Sequence, residues 1–320
     1  MNYTEAAAPC SIEKKKVSKL RVEFSKLIKK RNLFIMMLPG IIYFIIFKYI
    51  PIYGLQLAFK DYIFKAGITG SKWVGLEHFQ NIFAMQSFWQ VFKNTLIISA
   101  YQLVFGFPAP ILFAILLNEV KNIHFKKTIQ TVSYLPHFVS WVVLGGLFTQ
   151  FLSPSSGPVN IMLMKLGIEP IHFLGDVKWF RGVLVATGIW KDLGWSSIVY
   201  LAALSGVEQE MYEAARIDGA TRFQQILYIT LPSLAPVITI MLIFDLGKII
   251  NDNFDQVFNM YSMVVYSVGD VISTYVYRTG ITQMQYSTGT AIGLFKNVIS
   301  FSMVIMANYI ANKINGNGIW

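Results

Sequence analysis

The stretch Glu213-Ala214-Ala215-Arg216-Ile217-Asp218-Gly219, continuing through Ala220 to Ile229-Thr230-Leu231-Pro232, decides how this chain is read. It is a polar, helix-forming insert between two strongly apolar segments. Two capping-box patterns frame it, Ser205 with Glu208 and Thr221 with Gln224. Each spacing lets side chains satisfy the free backbone donors of a helix start, so two short helices are predicted. Gly219 is placed to take the left-handed conformation that closes the first helix. Pro232 suits the first turn of the next apolar helix, where no backbone N–H is required.

Outward from this insert the chain is built of apolar runs. Of its 320 residues 54% are apolar and only 14% charged, which argues against a soluble globule. A bilayer takes ~20 residues as a helix. Runs of that length lie at about Leu33 to Phe59, Val91 to Leu117, Thr131 to Phe151, Gly182 to Leu204, Leu234 to Phe258 and Thr290 to Ala311. The fold class expected is therefore an all-α membrane protein with six transmembrane helices. Three regions are expected: a basic tail over 1–32, a first transmembrane helix with an external segment over 33–88, and a five-helix core over 89–320 that carries the polar insert at 205–232.

The tail holds Lys14, Lys15, Lys16, Lys19, Arg21, Lys26, Lys29, Lys30 and Arg31, with an amphipathic portion around Val22 to Ile28. Directly before a long apolar run, such a flank sets topology on the cytoplasmic side and does not point to nucleic acid. Six spans then place both termini in the cytoplasm, and Lys121, Lys126 and Lys127 agree. The insert runs against the trend, because Arg216 and Arg222 are outnumbered by Glu208, Glu210, Glu213 and Asp218. A loop that departs from the charge rule has another task. Cys10 is the single cysteine, no His/Cys set has metal spacing, and no nucleophile and base are suitably paired, so neither a catalytic nor a metal site is expected. There is no Gly-rich phosphate loop, and any nucleotide has to be held by a partner.

Glu-Ala-Ala, three residues, Gly, nine residues, then Ile-x-Leu-Pro resembles the EAA loop of permease subunits of bacterial binding-protein-dependent ABC importers. The positions that carry it are Glu213, Ala214, Ala215, Gly219, Ile229, Leu231 and Pro232, and Asp218-Gly219-Ala220 looks most like the carbohydrate-uptake members. The stretch Asn251-Asp252-Asn253-Phe254-Asp255-Gln256 is similar to their oligosaccharide and polysaccharide branch. The resemblance implies a type I ABC importer permease fold with a cytoplasmic coupling helix, in which Glu213, Ala214, Ala215, Asp218, Gly219, Ile229, Leu231 and Pro232 meet an ATPase. It also implies a homologous second permease, two ATPase subunits that bind ATP and Mg, an external solute-binding protein and a carbohydrate cargo, all at the bacterial cytoplasmic (inner) membrane. This chain would then hold no cofactor and catalyse nothing. The small faces of Ala214 and Ala215 suit a helix seated closely in a partner's groove.

Ionisable residues inside spans cost at least ~2.5 kcal/mol each and normally face protein or water. In the fifth span Asp245, Lys248, Asp252, Asp255 and Asn259 recur at helical spacing, a stripe that either lines a path, with Asn251 beside it, or forms a packing ion pair. In the fourth, Trp190, Lys191, Asp192 and Trp195 combine aromatic faces with polar groups, as a sugar site requires, although tryptophans also anchor helices at interfaces. Asn297 and Ser300 in the sixth span are lesser path candidates. His137, beside Pro136, has no acidic partner nearby in sequence and reads as a packing histidine. An ion-coupled transporter or channel using Asp245, Lys248 and Asp252 is the alternative function. The net charge of +10 invites an acidic oligosaccharide, but most of the excess lies on the tail.

Overall fold

The structure, a computed structural model, describes residues 31–247 and 253–315. The basic tail before Arg31, its amphipathic portion, and Lys248, Asn251 and Asp252 lie outside the described residues. Two compact units divide at Leu55 and Gln56. In the first, α1 (Arg31–Phe44) runs on through a π turn, Ile45–Tyr49, into the 3-10 stretch Ile50–Phe59. The helix Ile35–Phe59 is 25 residues of apolar sequence with none of its most apolar window buried by the chain. Such all-round apolarity is the composition of a helix in hydrocarbon.

The second unit opens with an antiparallel pair, β1 (Lys60–Asp61) and β2 (Lys72–Trp73), and a short helix α2 (Glu77–Ala84). Next come α3 (Gln86–Tyr101), a π turn at Gln102–Gly106 and α4 (Pro108–Glu119), together one apolar helix of 34 residues. Here the second expected span holds, with the π turn absorbing Pro108.

The third does not. In place of one helix over 131–151, α5 (Ile123–Tyr134) meets a 3-10 turn, Leu135–Phe138, and α6 (Trp141–Phe151) leaves at 104°. Pro136 removes a backbone donor, and Ser140 restarts the helix by accepting from the Val143 N–H. Hydropathy alone joins the two arms, because the run from Thr131 to Phe151 is largely apolar across the break.

The fourth expected span is α7 (Phe180–Ser205), at 26 residues about 39 Å long. Among the described residues, four helices are long and apolar enough to cross a membrane, and the bent α5–α6 pair makes a fifth. Arg181, Lys191 and Asp192 leave α7 more polar than these, so it joins them by length alone.

The insert then forms α8 (Gln209–Ile217) and the helix Arg222–Gly247, which contains a π turn at Ile226–Thr230 and ends in α9 (Leu231–Gly247). Only the first of the two helices expected there is short. The Ser205/Glu208 box is also absent: Ser205 remains in α7 and its hydroxyl donates to the Ala202 carbonyl, while Glu208 caps α8 without a side-chain bond.

The single fifth span expected over 234–258 is likewise corrected. Asn253 lies outside helical geometry (φ −68°, ψ 77°), and α10 (Phe254–Met260) starts afresh after it. Asp245 therefore shares no continuous helix with Asp255 and Asn259. Beyond α10 short helical turns lead to α11 (Tyr286–Asn315), the sixth span. Within those turns Arg278 grips Asp270 through two hydrogen bonds, 3.1 and 2.5 Å, and lies over the rings of Tyr266 and Tyr275.

Among the described residues three larger apolar clusters hold the second unit, beside a smaller one of Ile243, Ala307 and Ala311. One joins Phe88 and Val91 to Ile272 and Ile292; another joins Ile98, Phe180 and Leu184 to Val257 and Met260; the third joins Ile111, Ala114 and Ile115 to Tyr200, Leu204 and Leu234. The second and third fasten α7 along its length. Against α5 the fit is closer still, since a Cβ on Gly194 would lie 2.3 Å from the Ser133 carbonyl oxygen. Backbone cannot yield as a side-chain tip does. Gly194→Ala is expected to cost about 1–3 kcal/mol, read as a lower melting temperature of the detergent-solubilised protein; Gly146→Ala, with open space around it, serves as the control.

Candidate functional site

Two sites emerge, the polar insert and a cavity. At the insert, α8 ends in a complete Schellman closure: Gly219 adopts φ +79°, its N–H donates to the Arg216 carbonyl at 3.1 Å, and the Ala220 N–H donates to Ala215 at 2.8 Å. The Thr221 capping box forms as its spacing predicts. Glu213, Ala214, Asp218 and Gly219 are exposed and Ala215 is half-buried. Ile217 and Phe223, 87% and 73% exposed, flank the glycine as apolar knobs.

Side chains tie α8 to its neighbours. Tyr212 shares a hydrogen bond of 3.0 Å with Thr230 in the π turn, and Arg222 reaches Glu119 at the end of α4 at 3.4 Å. Ile229 and Leu231 are half-buried, Leu231 against the third cluster, whereas Pro232 is exposed. α8 is thus attached to the long helix by a side-chain bond as well as by the chain.

The cavity measures about 480 Å³ and is lined from α3, the π turn after it, the α5–α6 break, α7 and the two arms around residues 245 and 253. Ser99, Gln102, His137, Asp192, Trp195, Ser196, Asp245 and Asn253 supply most of its polar and aromatic wall. Lys191 is buried behind that wall. Its Nζ donates to the carbonyls of Pro136, His137 and Val139 at 3.3, 2.6 and 2.8 Å, and it lies 5.6 Å from the Trp141 ring centre. The Pro136 carbonyl also accepts from the Val139 N–H at 3.1 Å, so at the break between α5 and α6 the ammonium satisfies above all the carbonyls of His137 and Val139. Asp192, next on the helix, accepts from His137 Nδ1 at 2.8 Å, and Trp195 stacks on the His137 ring at 4.6 Å between centres and 2° between planes.

Residues 106–316 match the model of the family described as binding-protein-dependent transport system inner membrane components. The chain belongs to that family. Protein LplB of Bacillus subtilis is 44% identical over 288 residues, covering 90% of this chain and 91% of its own. The polygalacturonan/rhamnogalacturonan transport system permease protein YteP of the same organism is 41% identical over the whole of both chains. Among solved structures, a chain of a bacterial ABC transporter involved in the import of the acidic polysaccharide alginate superimposes with a TM-score of 0.85 at 41% identity, covering 91% of this chain and 99% of its own. A bacterial alginate ABC transporter solved in complex with an alginate pentasaccharide-bound periplasmic protein gives 0.86 at 42%, covering 92% of this chain and 99% of its own. The fold is that of a type I ABC importer permease, and its place is the inner membrane.

Of the path residues read in the permease sequence, the structure brings Asp192, Trp195 and Asp245 to one cavity. Lys191 stands behind it as a clamp on the break. Trp190 packs edge-to-face on Phe148 at 5.6 Å, and Asp255 and Asn297 are exposed; none of the three lines the cavity. His137, read as a packing histidine, does pack on Trp195, and its acidic partner Asp192 lies 55 positions away in sequence. Gln102, Ser196 and Asn253 were missed. A glutamine in the midst of an apolar span is a signal that was present for the first of them, and its π turn is a feature that recurs at functional sites.

Proposed function

We propose that this permease carries an acidic, uronate-containing oligosaccharide into the cell, driven by ATP hydrolysed in two partner ATPase subunits and delivered by an external solute-binding protein. The observation that carries the cargo is the full-length similarity to a permease named for polygalacturonan and rhamnogalacturonan, together with the alginate importer: both cargoes are polymers of acidic sugars. In this reading ATP and Mg belong to the ATPases, both termini are cytoplasmic, and a second, homologous permease completes the path. α8, with Glu213 to Gly219, seats in the ATPase, so that closure of the ATPase pair moves α8 as a rigid body and the long helix with it. The chain itself makes and breaks no covalent bond.

The test is uptake by the purified complex in vesicles with its binding protein. Short oligogalacturonates are expected to accumulate when ATP is supplied, and neutral malto-oligosaccharides of the same length are not. Preference for the neutral series would overturn the acidic assignment.

A further inference from the structure

His137 is held in three ways by one stretch of α7. Lys191 takes the carbonyl of His137 together with those of Pro136 and Val139, which fixes the backbone; Asp192 takes Nδ1; Trp195 covers one ring face. Few side chains are so completely oriented without being buried, and its side chain keeps 32% of its surface. With Asp192 accepting from Nδ1–H, the neutral ring has its lone pair on Nε2. That atom has no protein partner among the described residues, and the ring lines the cavity.

We infer that His137 is a specificity-determining residue of the transport path, which accepts a hydrogen bond at Nε2 from a hydroxyl of the sugar passing through the cavity. The rest of the wall agrees. Asp192 adds a carboxylate acceptor, and Ser99, Gln102, Ser196 and Asn253 add further side-chain oxygens. Such oxygens attract hydroxyl donors. This chain therefore reads hydroxyls of the cargo at this wall. Asp192 and Trp195 act as positioning residues in this arrangement, as a carboxylate does when it fixes a histidine tautomer. The inference rests on the proposed carbohydrate cargo.

The two chemical properties of the ring separate by substitution. His137→Phe keeps an aromatic face for Trp195 and loses the acceptor; His137→Gln loses the stack and keeps an amide oxygen near the place of Nε2. Each complex would be reconstituted with its binding protein and given trigalacturonate or its carboxyl-reduced neutral counterpart, with the melting temperature measured in parallel. The expectation is a fall in maximal uptake of about tenfold for His137→Phe with both probes at an unchanged melting temperature, the loss expected from one hydrogen bond to moving cargo. His137→Gln is expected to retain uptake within about threefold of wild type on the same grounds. Wild-type uptake by His137→Phe would overturn the assignment, as would a loss confined to the acidic probe, since the ring would then be acting as a cation. If the wild-type complex transports neither probe, the carbohydrate reading fails and this inference with it.

Discussion

Replacing Lys191 by methionine is expected to destabilise the permease by roughly 2 kcal/mol or more, because a buried carbonyl left without a donor costs about 1–3 kcal/mol and those of His137 and Val139 are left at once, while Pro136 keeps the Val139 N–H. Methionine fills the stem's volume, so the loss isolates the three hydrogen bonds. The expected readout is a lower melting temperature of the solubilised protein, with uptake lost in proportion to folded protein. An unchanged melting temperature with uptake abolished would return Lys191 to the path, where its sequence context alone had placed it. The distinction rests on burial: Lys191 is 7% exposed and its Nζ is surrounded by carbonyls of a chain segment more than fifty residues away.

The second large effect is expected at Gly219. A side chain there meets no atom within 4 Å, so the folded permease has room for it, and the left-handed backbone at φ +79° costs a non-glycine residue about 1–2 kcal/mol, least for Asp or Asn. Gly219→Asp is therefore expected to insert and assemble, yet to lose binding-protein-stimulated ATP hydrolysis by about tenfold or more, equivalent to at least ~1.4 kcal/mol of coupling. The added carboxylate stands between the exposed Ile217 and Phe223, where a partner surface has to close on apolar side chains. Normal stimulation in that variant would show that the loop does not carry the coupling.

These two residues also show what was legible in the sequence. Gly219 was, because a Schellman closure is local: the donors and acceptors lie within five residues, and the same holds for the Thr221 box. The Ser205 box failed by the same locality, since a hydroxyl inside a helix finds the carbonyl three residues back before it can cap the next helix. The first, second and sixth spans were legible from hydropathy. The α5–α6 break was not, because Pro136 in an apolar run is compatible with a kinked helix, and only the distant Lys191 makes a full break tolerable in a low-dielectric interior. Helical spacing predicted one stripe from Asp245 to Asn259, and the non-helical backbone at Asn253 divides it. The cavity itself escaped because its walls come from elements separated by as many as about 150 positions, while each wall residue looks ordinary beside its neighbours in sequence.

The central claim, that the chain is the membrane half of an ATP-driven importer, is tested most directly by omitting the motor. Vesicles carrying the two permeases alone, and vesicles carrying the full complex with ATP, would be given the loaded binding protein under an imposed proton or sodium gradient. The account predicts accumulation only in the second preparation, independent of the gradient. Gradient-driven accumulation by the permeases alone would contradict it and would assign the transport to ion coupling through the region of Asp245.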